Sequence, residues 1–250
     1  MRSPFDAMFP RRCAGCGEGP WPFCSACARD LTPLHPPWCA RCGRPSALDV
    51  PACRDCPPAP VTSARAAFLF AGPARRAVHR LKFSGWRDVA GALARAMLTC
   101  PDVPVVDAVT WVPLARRRLA ERGYDQARAL AIAVGRERGV PVRRLLRRAV
   151  ATGTQAARGG ADRRRAMQGA FTASRPAPER VLLVDDVLTT GATAVACADA
   201  LVRAGAREVH LLVAARSFHG AVPALHGATA PAYPRVGPRP GLWLPGDIPR

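Results

Sequence analysis

The chain has 250 residues, 49% of them hydrophobic, so it can bury a core and is not disordered throughout. That length suits one principal domain of roughly 100–200 residues together with a small additional module. No stretch of about 18 or more apolar residues is present, which excludes a transmembrane helix. The first residues also lack the apolar segment of a signal peptide, so we expect a cytoplasmic protein.

Arginine supplies nearly all of the positive charge. Lysine and arginine number 37 against 18 acidic residues, a formal net charge of +19, and Lys82 is the only lysine. Such a surface suits phosphate groups and nucleic acid, because the arginine fork donates several hydrogen bonds at once. A genome biased toward Arg, Ala, Gly and Pro would give the same charge without any function, and the sequence does not separate the two explanations.

Eight of the ten cysteines lie within the first 56 residues and form four C-x-x-C pairs. Each pair can aim two thiolates at one ion, and two pairs complete a tetrahedral four-cysteine zinc site. Consecutive pairs could share a site, or the pairs could interleave, and the sequence leaves both arrangements open. The predicted zinc ligands are Cys13, Cys16, Cys24, Cys27, Cys39, Cys42, Cys53 and Cys56.

The alternatives to structural zinc are a disulfide framework and a redox motif. Disulfides are disfavoured in a cytoplasmic chain, and a thioredoxin-type motif occurs once beside a βαβ pattern, not four times in a proline-rich stretch. We interpret His35 as a loop histidine, since eight thiols suffice for two sites, and Cys197 as a small buried helical residue. Zinc is therefore the expected metal.

The chain divides into three predicted parts. Residues 1–58 carry the cysteine pairs and too few apolar residues to fold well without metal, so they form the predicted zinc-ribbon module. After a linker at 57–60, strand and helix patterns alternate through residues 61–218, which predicts an α/β fold with a parallel sheet. Residues 219–250 are rich in Pro and Gly and form a predicted flexible tail.

Hydrophobic patterning places the individual elements of the α/β part. The predicted strands are 65–70, 107–114, 140–142, 180–187 and 208–215. The predicted helices are 74–83, 88–98, 115–138 and 192–204.

The segment VLLVDDVLTTGAT, residues 181–193, is the most informative of the chain. An apolar strand leads to Asp185 and Asp186, and a Thr- and Gly-rich turn then leads directly into a helix. Ligands of parallel sheets bind beyond the carboxyl ends of the strands, and a glycine turn before a helix N-terminus suits an anion. A Walker B strand is the alternative, but the chain contains no GxxxxGK[ST] loop to accompany it.

This segment resembles the signature with which type I phosphoribosyltransferases bind phosphoribosyl pyrophosphate (PRPP). The cysteine pairs and four other motifs extend the resemblance to the ComF family of competence-associated, phosphoribosyltransferase-like proteins, from residue 13 to about 216. The four motifs are VHRLKFSG (78–85), VPLARRRLAERGYDQARALA (112–131), TQ (154–155) and RRRAMQGAF (163–171). The resemblance implies a type I phosphoribosyltransferase-like α/β domain preceded by a double zinc ribbon.

The same resemblance implies roles for individual residues. Asp185 and Asp186 would be catalytic, holding the ribose hydroxyls of PRPP and orienting Mg²⁺ through water. Residues 112–114 would be the pyrophosphate loop, with Arg122 as a candidate pyrophosphate contact; the alternative for Arg122 is a solvated helix face. The residues that would cradle the 5′-phosphate are Thr189, Thr190, Gly191 and Thr193.

Four further features bear on this assignment. Lys82 is also a predicted PRPP contact, because one lysine kept among so many arginines suggests that a compact charge is needed; chance retention is the alternative. Residues 152–165 resemble the mobile loop that closes over PRPP. Ala166 stands where the family usually has Asn, and Tyr124-Asp125 stands where it often has Phe-Asn.

Two functions follow as hypotheses. The first is a Mg²⁺-dependent phosphoribosyltransferase that displaces pyrophosphate from the ribose anomeric carbon in favour of an unknown acceptor. The second is a non-catalytic or PRPP-regulated accessory that binds single-stranded DNA and works with DNA-uptake proteins. The charge and the zinc module favour a nucleic-acid partner, although aromatic residues make up only 6% of the chain. Trp21, Phe23 and Trp38 could stack bases or fill the core of the zinc module.

Overall fold

The structure is a computed structural model that describes residues 11–148 and 169–218. Its main sheet has four parallel strands, which confirms the predicted α/β fold. Within the described residues the strands are β1 (Val61–Leu69), β2 (Ala108–Trp111), β3 (Leu146–Arg148), β4 (Phe171–Ala173), β5 (Arg180–Leu188) and β6 (Glu208–Arg216). The helices of the same ranges are α1 (Ser25–Arg29), α2 (Gly72–Phe83), α3 (Val89–Leu98), α4 (Arg116–Arg122), α5 (Gln126–Arg138) and α6 (Ala192–Arg203).

The main sheet has the strand order β1-β6-β5-β2, so β5 lies inside it. Apolar side chains project from both faces of β5, as expected for a strand covered on two sides. Leu182 and Val184 belong to the cluster that includes residues of α2, α3 and α5, whereas Val181 and Leu183 pack in the cluster that includes residues of α6. The sheet is therefore buried between two layers, and its functional groups must emerge at the strand ends.

Two of the predicted elements were wrong. Residues 115–138 form two helices, α4 and α5, because Gly123 adopts a left-handed φ of 71° and Asp125 caps a new helix. Residues 140–142 do not form a strand; Val142 makes one isolated parallel bridge to Val109. The antiparallel pair β3–β4 was not predicted, since each of its strands has only three residues.

The cysteine-rich segment packs closely against the sheet domain. Cys13 and Phe23 belong to the cluster on one face of the sheet, and Leu34 and Cys39 belong to the cluster on the other. Trp38 is also buried. The aromatic residues Phe23 and Trp38 therefore fill the core, which leaves them unavailable for stacking on bases.

Two predicted features fall outside what the structure describes: the flexible tail at 219–250 and the whole PRPP loop at 152–165, with its neighbour Ala166. Among the described residues, 11–148 and 169–218, no helix is long and apolar enough to cross a membrane.

Gly135→Ala tests how closely α5 packs on the loop that follows it. A β-carbon at Gly135 would lie 2.3 Å from Val142 Cγ2 and 2.8 Å from the carbonyl oxygen of Val140. Alanine normally stabilises a helix interior relative to glycine. Here we expect the free energy of unfolding to fall by about 2 kcal/mol, because backbone must shift to make room. Denaturant titration measures the change.

Gly91→Ala in α3 is the matched control. The nearest atom to a β-carbon there is Arg95 Nη1 at 3.9 Å, so the substitution meets no obstacle. We expect it to raise the free energy of unfolding by up to about 1 kcal/mol. Equal effects at the two positions would contradict the close approach at Gly135.

Candidate ligand-binding site and metal centres

The eight cysteines of the N-terminal segment gather into two clusters of four. Within each cluster all sulfur atoms lie within 4.8 Å of one another. Consecutive pairs share a cluster, which resolves the pairing that the sequence left open. The first cluster contains Cys13, Cys16, Cys24 and Cys27, and the second contains Cys39, Cys42, Cys53 and Cys56.

The spacing of the sulfur atoms fits tetrahedral zinc. Four ligands at about 2.3 Å from one ion lie about 3.8 Å from each other. The Cys16 and Cys24 sulfurs are 3.8 Å apart, and the sulfurs of Cys42 and Cys53 are 3.6 Å apart. The backbone N–H groups of Gly15 and Cys24 donate to the Cys13 sulfur, as they would to a thiolate. The donor set and its geometry therefore fit one structural zinc ion in each cluster.

Arginine side chains attach both clusters to the sheet domain. From α2, Arg76 Nε donates to the Gly15 carbonyl at 2.8 Å and Arg80 Nη1 donates to that of Ala14 at 2.6 Å. At the end of β6 the buried Arg216 donates to the carbonyls of Cys42 and Asp55, next to the second cluster. A four-thiolate zinc site carries net negative charge, so cations beside both clusters are electrostatically favourable.

The turn between β5 and α6 forms a small, partly open cavity of about 50 Å³ at the end of the sheet. Gly191 is the N-cap residue that precedes α6 and has a left-handed φ of 77°, and no acidic residue lies in the first turn of the helix. The partial positive charge at the N-terminus of α6 is thus not neutralised by an acidic side chain of the helix itself. The lining of the cavity includes Asp185, Thr189, Thr190, Gly191 and Thr193.

The side chains of Asp185 and Asp186 project from opposite faces of β5, because successive side chains of a strand alternate between its faces. Asp185 lines the cavity with the threonines. Asp186 lies on the other face, where its Oδ1 is 2.6 Å from Nζ of Lys82, contributed by α2. The structure therefore brings five of the predicted residues together in the cavity. Two more, Lys82 and Asp186, form an ion pair on the opposite face of β5.

The carboxyl of Asp185 sits in an unfavourable electrostatic setting. Burial, reinforced by the negative charge of Asp186, raises its pKa well above the usual range, and Asp125 acts in the same direction. Lys82 and the backbone N–H of Asp186 favour the charged form but do not outweigh these effects. An added cation or hydrogen-bond donor at this carboxyl would therefore be stabilising.

Asp125 holds the predicted pyrophosphate loop in place. Its Oδ2 accepts from the backbone N–H of Leu114 at 3.2 Å, while Oδ1 caps α5 by accepting from the N–H of Arg128 at 3.1 Å. Burial raises the pKa of this carboxyl. Sequence reasoning treated residues 115–138 as one helix and so missed this role, although an aspartate after Gly123 is a recognisable helix-start signal.

The predicted pyrophosphate contact Arg122 lies at the C-terminal end of α4. Its guanidinium carbon is 4.7 Å from the centroid of the Phe83 ring. Arg122 lines an open groove together with Lys82, Phe83, Gly85, Arg118 and Glu121. Arg122 is thus placed beside Lys82, and its role in PRPP binding stays a prediction.

Comparison with known proteins identifies the family. A family model of the double zinc ribbon domain matches residues 5–57. DNA utilization protein YhgH of Escherichia coli K12 is 30% identical over 219 residues, which cover 80% of this chain and 92% of that protein. Competence protein F of Haemophilus influenzae is 27% identical over 209 residues, covering 78% of this chain and 90% of that protein. The chain belongs to the ComF family. The resemblance predicted from its motifs is confirmed.

Two solved structures are similar to parts of this ComF-family chain. Glutamine PRPP amidotransferase of Bacillus subtilis, complexed with ADP and GMP, is 25% identical with a TM-score of 0.36, over 50% of this chain and 26% of that one. A crystal structure of a protein from Thermus thermophilus is 21% identical with a TM-score of 0.31, over 56% of this chain and 88% of that one.

Zinc content tests the two clusters. We expect the purified full-length chain to contain two zinc ions, measured by plasma mass spectrometry. The double substitution Cys16→Ser/Cys24→Ser should leave one ion, because both residues serve the same cluster. Cys24→Ser/Cys53→Ser should leave none, because it damages both clusters. Loss of both ions from the first variant would contradict the consecutive pairing.

Lys82→Met tests the ion pair with Asp186. The Asp186 side chain is only 6% exposed, so removing its partner leaves a buried charge uncompensated. We expect the free energy of unfolding at pH 7 to fall by roughly 3 kcal/mol.

Arg117→Met is the control for Lys82→Met. It breaks the solvent-exposed pair with Glu121, in which the Arg117 side chain is 91% exposed. Its effect should stay within about 0.5 kcal/mol. Denaturant titration of both variants measures the difference, and equal losses would rule out a special contribution from Lys82.

Proposed function

We propose that this ComF-family chain binds PRPP with Mg²⁺ in the cavity at the end of β5. The observation that carries the proposal is the juxtaposition of Asp185 with the threonine- and glycine-rich turn in one small cavity. PRPP offers the matching groups: a 5′-phosphate for the turn and ribose hydroxyls for the acid.

The turn supports phosphate binding in two ways. Gly191 takes a left-handed conformation that lets the backbone approach a ligand closely, and it exposes the N-terminus of the 12-residue α6. The hydroxyls of Thr189, Thr190 and Thr193 add further donors around the same cavity. A phosphate there would supply the negative charge that the first turn of α6 lacks.

The acids fit a divalent cation. Asp186 and Asp125 lie close enough to Asp185 to raise the pKa of its carboxyl, and Lys82 acts in the opposite direction. Carboxylates are the protein ligands that Mg²⁺ prefers, and Mg²⁺ usually keeps water and substrate oxygens in its remaining positions. Asp185 would hold such an ion through water in the cavity, and Asp186, which faces Lys82, would add its negative charge from the other side of β5. When bound, Mg²⁺ would neutralise charge on the pyrophosphate of PRPP.

Phosphoribosyl transfer is the reaction that this ligand supports. The bond from the ribose anomeric carbon to pyrophosphate breaks, and pyrophosphate leaves with the electron pair. A bond from the acceptor to the same carbon forms, and the acceptor loses its proton to solvent. Lys82 and Arg122 would stabilise the developing negative charge, and the acids the positive charge on the sugar.

A DNA-uptake accessory is the second candidate function. The relatives named DNA utilization protein and competence protein point to it, and so does the net charge of +19. In this function PRPP would be a regulatory ligand rather than a substrate, and single-stranded DNA and DNA-uptake proteins would be the partners. The PRPP site proposed above is common to both candidates.

Asp185→Ala tests the PRPP site. We expect the wild type to bind PRPP in the presence of Mg²⁺ by isothermal titration calorimetry, and the variant to give no binding heat. Zinc content should stay at the wild-type value, because Asp185 is not a zinc ligand.

Asp199→Ala is the matched control for the PRPP site, since Asp199 is also an aspartate of this region but lies along α6, outside the cavity lining. It should bind PRPP like the wild type. Equal affinity of Asp185→Ala and the wild type would overturn the site.

A further inference from the structure

The open groove beside the Lys82–Asp186 ion pair is separate from the cavity proposed for the 5′-phosphate of PRPP. It lies between the C-terminal end of α2 and α4. Lys82 lines one side of it, so the groove reaches the ion pair from the solvent side. It therefore offers a second ligand a place next to the first.

Phe83 gives the groove an exposed aromatic surface. The residue is 63% exposed, whereas phenylalanine is among the residue types most often buried. The ring of His79, one helical turn earlier, lies 5.3 Å from the Phe83 ring at an angle of 47°. With the guanidinium of Arg122 also at the ring, Phe83 is held outside the core, and much of its surface remains open to solvent.

Positive charge surrounds this ring. Helix α4, with the sequence RRRLAER, carries four arginines and buries none of its residues. Its one acid, Glu121, is ion-paired with Arg117 at 2.9 Å. Within residues 11–148 and 169–218, Arg118 has no acidic partner. Burial and the proximity of Arg118 lower the pKa of Arg148, so uncompensated cations are crowded here.

We propose that this groove binds single-stranded nucleic acid, with a base stacked on Phe83 and backbone phosphates on Arg118 and Arg122. Exposed aromatic rings in a cationic groove are the chemistry that recognises single strands, since every base offers a face for stacking. The bases of a duplex are already stacked on each other, so a duplex would use only the charges. The inference rests on the nucleic-acid partner of the second candidate function and locates its binding surface.

Binding of a fluorescent oligothymidylate to the full-length, zinc-loaded chain tests this surface. Fluorescence anisotropy over a series of salt concentrations gives the affinity and its salt dependence. We expect Phe83→Ala to weaken binding roughly tenfold with an unchanged salt slope, and Phe83→Trp to retain binding. Arg118→Ala should reduce the salt slope by about 0.7, as expected when one phosphate contact to a single strand is lost.

Two substitutions at the opposite end of the sheet are matched controls. Val105→Ala removes an apolar side chain that is 70% exposed, and Arg207→Ala removes an exposed arginine before β6. Neither should change the affinity for the oligonucleotide. If Phe83→Ala behaved like Val105→Ala, or if polyglutamate or duplex DNA of equal charge competed as well as the single strand, the proposal would be wrong.

Calorimetry with PRPP separates this inference from the PRPP site. Phe83→Ala should bind PRPP and Mg²⁺ like the wild type. A wild type that binds the oligonucleotide through Phe83 but does not bind PRPP would support the groove and overturn the PRPP site alone. A wild type that binds PRPP but not the oligonucleotide would overturn the groove alone.

Discussion

The ion pair between Lys82 and Asp186 is the interaction on which the arrangement of the site depends. It joins α2 to the inner strand β5, and the buried carboxylate is tolerable only because an ammonium lies 2.6 Å away. The same helix holds the first zinc cluster through Arg76 and Arg80. The position of α2 thus links the zinc ribbon to the acids of the proposed PRPP site.

The segment that follows the second cysteine cluster lies close to the proposed phosphate turn. Pro57 follows the last cysteine of that cluster, and a β-carbon at Gly191 would lie 3.5 Å from its Cβ. Arg216 ends β6 and donates to the carbonyls of Cys42 and Asp55. The ribbons therefore act as part of the support for the strand ends, which explains why the cysteine-rich segment shares both hydrophobic clusters with the sheet domain.

Asp185 and Asp186 are adjacent in the chain but project from opposite faces of β5, so their carboxyl groups lie in two different chemical environments. Asp185 faces the cavity proposed for PRPP, and Asp186 faces a lysine at the end of a cationic groove. A PRPP molecule and a nucleic-acid strand bound as proposed would meet at this dipeptide and would share Arg122. That arrangement would suit transfer between two ligands as well as regulation of one by the other.

The sequence by itself determined the zinc ligands, the parallel α/β alternation and the strand-to-helix turn, because each depends on spacing within a short segment. It missed the break before α5 and the short β3–β4 pair, where local signals were weak or were outweighed by a continuous helical pattern. Only the tertiary structure decided that the cysteine pairs combine consecutively, that Lys82 reaches Asp186, and that Phe83 stays exposed. These features depend on sheet register and helix packing, which bring together residues far apart in the chain and set the direction of each side chain.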